Sequence, residues 1–171
     1  YKVFGGMQFY QRAEIKDIVA YLTVINNPQD TINLNRIINV PKRKIGDKSI
    51  EKIRDYASET NISMFEALGK GMEIPGLTSG VKIALDELYT ILNDLIELSH
   101  EGSVSEVFDE LIRRVGYFSY LNSTYGAEAE GRIENVEELK NSIVELEKTV
   151  DFLTLREYLE NISLVSATDD L

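Results

Sequence analysis

Residues 81–95, Val81-Lys82-Ile83-Ala84-Leu85-Asp86-Glu87-Leu88-Tyr89-Thr90-Ile91-Leu92-Asn93-Asp94-Leu95, decide the fold class. Val81, Ala84, Leu85, Leu88, Ile91, Leu92 and Leu95 recur every three or four residues. That is the ~3.6-residue period that gathers side chains on one face of an α-helix. The stripe predicts a helix of about five turns.

The same period continues on both sides. Downstream, Ser103 with Glu106 forms a capping box that opens a helix carrying Val107, Phe108, Leu111, Ile112 and Val115 and ending at Gly116. From about Ala127 to Lys148, residues Ile133, Val136, Leu139, Ile143 and Leu146 share one side, with acids on the other. Thr154 with Glu157 is another box, before Tyr158, Leu159 and Ile162. Upstream, Pro75-Gly76 is a turn, and Ser63 with Glu66 caps a brief helix. Ile50, Ile53 and Ala57 mark a further helix, and Asp30 caps a short one with Leu34, Ile37 and Ile38 that Pro41 closes. Ile15, Ile18, Val19, Leu22 and Ile25 form the first stripe, stopped by Asn26-Asn27-Pro28. Tyr1-Lys2-Val3-Phe4 alternates like a strand before Gly5-Gly6 breaks it. The expected fold is all-α: an irregular helical bundle with a short N-terminal strand segment. The start reads as a cut inside a larger protein.

Of 171 residues, 43% are apolar and 27% charged, which suits a packed core. No run approaches the ~18 apolar residues of a membrane span. Cysteine is absent and His100 is the one histidine, which excludes disulfides, thiolate chemistry and multi-histidine metal sites. These counts suit a soluble intracellular domain. The net charge is −11, unevenly spread. Residues 1–60 hold ten Lys or Arg against seven Asp or Glu, and residues 61–171 hold eight against twenty-two. A polyanion would be met at the first third.

Catalytic patterns are missing. A phosphate-binding P-loop needs paired glycines followed by Lys and a hydroxyl residue. Gly69-Lys70-Gly71 has neither the earlier glycine nor the hydroxyl. His100 sits at a predicted helix end, where it faces solvent or the helix dipole. Acidic pairs such as Glu137-Glu138 lie on a solvated helix face, and no calcium-loop spacing occurs. The chain by itself is not expected to be an enzyme.

Two stretches carry candidate binding chemistry. Residues 42–49 place Lys42, Arg43, Lys44 and Lys48 around Ile45, Gly46 and Ser49, between two predicted helices. Gly46 permits close backbone approach, and a helix N-terminus directs N–H groups and partial positive charge at an anion such as phosphate. Ile45 would anchor the turn in the core. The alternative is a basic turn that is merely soluble. The second stretch holds Tyr10 and Arg12 just before the first stripe, where a ring and a guanidinium could meet a nucleic-acid strand. Its alternative has Phe9 in the core, Tyr10 along its edge, and Arg12 paired with Glu14 or the neighbours of Lys16.

Residues 1–22, Tyr-Lys-Val-Phe-Gly-Gly-Met-Gln-Phe-Tyr-Gln-Arg-Ala-Glu-Ile-Lys-Asp-Ile-Val-Ala-Tyr-Leu, closely resemble superfamily 1 DNA helicases of the UvrD/PcrA/Rep group. There the pattern leaves the second motor domain, 2A, and enters the inserted 2B subdomain. Residues 36–46, Arg-Ile-Ile-Asn-Val-Pro-Lys-Arg-Lys-Ile-Gly, resemble that subdomain's next signature. Residues 132–139 and 152–170 resemble its last part. The resemblance implies a parent that is an ATP-driven 3′-to-5′ DNA helicase of repair and replication, cytoplasmic and working on the bacterial nucleoid. ATP and Mg2+ would belong to the parent, with no cofactor in this stretch. Residues 1–10 would be the edge of 2A, 11–165 the 2B subdomain, and 166–171 a linker back toward 2A. The partners implied are DNA and the helicase's own motor domains. Tyr10 and Arg12 match a pair near single-stranded DNA. The turn at Arg43-Lys44-Ile45-Gly46 matches one that contacts the duplex backbone in a helix-hairpin-helix manner. Relatives commonly have Gly-Ile-Gly there, and Lys44 replaces the first glycine.

The leading expectation is a duplex-gripping, regulatory subdomain. A second is a protein-interaction or autoinhibitory module whose acidic surface docks on the motor domains or an accessory protein. A third, an unrelated helical enzyme, would need a carboxylate site that the sequence does not display.

Overall fold

The structure is a computed structural model and describes residues 6–169. The strand expected at Tyr1-Lys2-Val3-Phe4 lies outside the described residues. Within them the fold is all-α: α1 (Gly6–Gln11), α2 (Ala13–Asn26), α3 (Thr31–Ile37), α4 (Asp47–Thr60), α5 (Met64–Leu68), α6 (Ser79–Glu101), α7 (Val104–Val115), α8 (Tyr117–Tyr125), α9 (Ala129–Glu147) and α10 (Leu155–Asp169). Short 3-10 turns at Gly71–Glu73 and Gly126–Glu128 join α5 to α6 and α8 to α9.

The first stripe understates its helix. From Asp17 to Ile25 no residue of α2 is exposed, and a helix covered on all sides belongs in the middle of a bundle. Helices α1, α3, α6, α9 and α10 all pack on it. Ala20, Tyr21 and Val24 are buried beside the expected Ile15, Ile18, Leu22 and Ile25.

Expected caps form where they were placed. Asp30 accepts from the Asn33 amide, and Ser63/Glu66 and Ser103/Glu106 each form both bonds of a capping box. Thr154 and Glu157 exchange the same pair of bonds. The long stripe buries Val81, Leu85, Leu88, Leu92 and Leu95 along α6. Gly69 ends α5 against Tyr89 of α6; a Cβ there would stand 2.7 Å from that ring, so the close approach requires glycine. His100 is exposed in the last turn of α6, as expected.

Helix α8 has no capping box and a weak period. Gly116, at φ +67°, ends α7 and opens α8 at once, and Tyr117 and Leu121, four apart, supply its buried face. Among the described residues, no helix is long and apolar enough to cross a membrane.

Candidate nucleic-acid interface

The basic turn leaves the end of α3. The side chain of Asn39 folds into it, and its Oδ1 accepts from the backbone N–H of Arg43 (2.7 Å) and of Ile45 (3.2 Å). Ile45 then enters the core fully buried. That is the anchor expected of it, and it corrects any reading of its side chain as a surface contact.

Arg43 also departs from expectation. Its Nη1 donates to the carbonyls of Ile37 (2.8 Å) and Ile38 (3.1 Å), at the end of α3, and its Nη2 donates to the Tyr21 hydroxyl. Tyr21 in turn donates to the Val40 carbonyl at 2.6 Å. Burial pushes the Tyr21 phenol above its ordinary range, against the opposing pull of Arg43. The guanidinium is therefore engaged by the protein, because an arginine this close to a helix C-terminus finds carbonyls to satisfy.

Lys42, Lys44 and Lys48 remain outside. All three are exposed, and no ion pair among the described residues involves them. Lys44 stands at φ +62°, the left-handed region that favours glycine. Gly46 is exposed at the N-cap of α4, and nothing lies within 4 Å of where its Cβ would be. No side chain caps the first amides of α4, although Asp47 puts one acid in its first turn. Ser49 is half-buried one turn in. The arrangement places backbone donors, a helix dipole and three exposed cations at one end of α4, a combination suited to an anion.

Tyr10 and Arg12 lie at the junction of α1 and α2. Phe9 is buried, and Tyr10 is half-buried and packs edge-on against it, with ring centroids 5.3 Å apart. Arg12 is exposed, 5.4 Å over the Phe9 ring, and its Nη1 donates to Asn135 Oδ1 at 2.8 Å. Its partner is thus on α9, rather than Glu14 or a neighbour of Lys16.

Beneath Arg12 is a network that sequence reading missed. Glu14 is 3% exposed and accepts from Arg132 Nη1 and Asn135 Nδ2, both at 2.7 Å. Asp17 is 7% exposed and accepts from Arg36 Nε (3.1 Å) and the Tyr117 hydroxyl (2.7 Å). Burial first, and then Asp17, push the Tyr117 phenol well above its ordinary range. Two acids at i and i+3 on α2 thereby tie α3, α8 and α9 to it. Asn39, Tyr21, Glu14 and Asp17 all lie within the quoted signatures, yet nothing in their local spacing shows which partners they take; an acidic pair on an otherwise apolar helix is the one signal that could have shown the network.

Charged pairs line two grooves, Lys140 with Asp109 at 2.8 Å and Arg132 with Glu14 at 2.7 Å, and no group of three potential metal ligands occurs among the described residues. What fold and site define is an all-α module with an exposed cationic turn held rigidly by its neighbours. The chain belongs to the UvrD-like helicase C-terminal domain family, which matches residues 1–170. It is 38% identical over 99% of its length to an ATP-dependent DNA helicase PcrA of Staphylococcus epidermidis, and 37% identical over 99% to that of Staphylococcus aureus. It spans 24% and 23% of those proteins, about a quarter of their length.

Proposed function

We propose that residues 11–165 are the 2B subdomain of an ATP-dependent 3′-to-5′ DNA helicase, gripping duplex backbone and regulating unwinding. Residues 1–10 then belong to the edge of 2A, and 166–171 lead back toward it. ATP and Mg2+ would be bound by the motor domains. The observation that carries this reading is the open N-terminus of α4, where the exposed Gly46 is flanked by the unpaired Lys42, Lys44 and Lys48. Such donors fit phosphates and read no bases, so recognition is of the backbone. The α3–turn–α4 unit would act in the helix-hairpin-helix manner, with Ser49 adding a hydroxyl. Arg43 and Ile45 hold its shape. Arg12, pinned between Phe9 and Asn135, presents a fixed guanidinium to a single strand, with Tyr10 beside it.

The test is duplex binding by anisotropy across a salt series. Affinity near the weak non-specific range, ~10⁻⁴ M, is expected because of the acidic remainder. Replacing Lys42, Lys44 and Lys48 with Ala should lower affinity and reduce the slope of log K against log salt by up to about 3. Unchanged affinity and slope would reject the turn as the contact. A salt-insensitive interaction with motor domains alone would instead favour the docking reading, to which the acidic residues 61–171 are suited.

A further inference from the structure

We infer that Asn39, acting with Tyr21 and Arg43, is a positioning residue for the phosphate grip; this rests on the reading of residues 42–49 as the duplex contact. Three lysines on a loose loop would have to be ordered at the moment of binding, which weakens association. Here the order is built in. Asn39 Oδ1 holds the amides of Arg43 and Ile45, the two neighbours of Lys44. Lys44 is thereby kept at φ +62°, a conformation that a residue with a side chain seldom adopts alone. Arg43 ties the same turn to the end of α3 and, through the Tyr21 hydroxyl, to the central helix α2. Tyr21 closes the loop by donating to Val40. Without the Asn39 acceptor, Lys44 can relax to negative φ. Its ammonium, and the chain entering α4 at Gly46, then leave the arrangement in which they meet a phosphate together. Asn39 touches no ligand in this scheme; it acts through Lys44 and Gly46.

The test compares the 171-residue chain with its Asn39→Ala variant, which keeps every charge, on a short fluorescent DNA duplex over a salt series. Affinity should fall about tenfold and the salt slope by about one, as when one phosphate contact is lost. Loss of stability alone would not move that slope while both proteins are folded. Amide exchange at residues 43 and 45 should quicken, and Asn39→Asp, whose carboxylate accepts the same two bonds, should restore protection. Should Asn39→Ala fail to fold, Tyr21→Phe removes just the hydroxyl and should reduce the slope in the same sense. An unchanged affinity and slope in the folded variant would overturn the inference. The Lys42, Lys44 and Lys48 to Ala variant separates the two failures. If it loses binding while Asn39→Ala keeps it, the positioning role alone falls. If it too keeps binding, the duplex-contact reading falls and the positioning role with it.

Discussion

Replacing Arg132 with Ala should be among the most damaging single changes in this chain. Its Nη1 lies 2.7 Å from Glu14 Oε1, and Glu14 is 3% exposed at the start of the central helix. Removing the half-buried partner of a buried carboxylate leaves a charge without compensation, for which the cost is about 3–5 kcal/mol in a fully buried pair. Two features set the expectation at the lower end. Asn135 still donates to Glu14, and a groove of about 630 Å³ lined by Arg12, Glu14 and Arg132 admits water once the guanidinium is gone. In the other direction, the guanidinium lies 3.7 Å from the centroid of the Tyr125 ring, and a stacked cation of this kind contributes about 0.5–2 kcal/mol. A net loss of about 4 kcal/mol follows, or a Tm lower by roughly 8–16 °C in a chain of this size. Urea unfolding followed by circular dichroism measures it, with the midpoint falling at constant m. Adding Glu14→Gln to the variant should recover part of the loss, because no buried charge then lacks a partner. A loss below about 1 kcal/mol, the value of a surface ion pair, would refute the reasoning, since Glu14 would then be hydrated in the folded state.

Three further outcomes are expected. Burial raises the phenols of Tyr21, Tyr117 and Tyr158, so the fold favours their neutral forms. Their contribution to stability is full below pH ~10 and declines as pH rises beyond it, where the unfolded chain ionises first; ultraviolet titration should show these three ionising with the loss of helicity, and reversible ionisation of all nine tyrosines in a folded chain would contradict this. Lys44→Gly relieves a positive φ and should stabilise by about 0.5–1 kcal/mol in urea titration, whereas a destabilised variant would show that the lysine is not strained. Ser103→Ala breaks the capping box of α7 and should cost about 1 kcal/mol, read from the thermal midpoint, with a neutral result counting against the cap.

The helices were legible because their signals are local. A capping box spans three residues and an apolar stripe repeats every three or four, so Ser63, Ser103, Thr154 and the α6 stripe could be read directly. Helix α8 escaped because its support is tertiary: Tyr117 and Leu121 are two positions on one face, too few to make a period, and Tyr117 gains its bond from Asp17, 100 residues away. The site was half legible. Composition marked residues 42–49 as a cationic turn, yet the four cations at 42, 43, 44 and 48 look alike in sequence.

Sequence alone settled the all-α class, the helix breaks at Pro28 and Gly116, and the motifs by which the family is recognised. Tertiary structure decided which charges are available. It turned Arg43 toward Tyr21 and the end of α3, left Lys42, Lys44 and Lys48 in solvent, and joined Arg12 to Asn135 across 123 residues. The reason lies in range. Caps and periods are satisfied within one turn of chain, whereas a charged side chain takes whichever partner packing brings beside it, and that partner is set by segments distant in sequence.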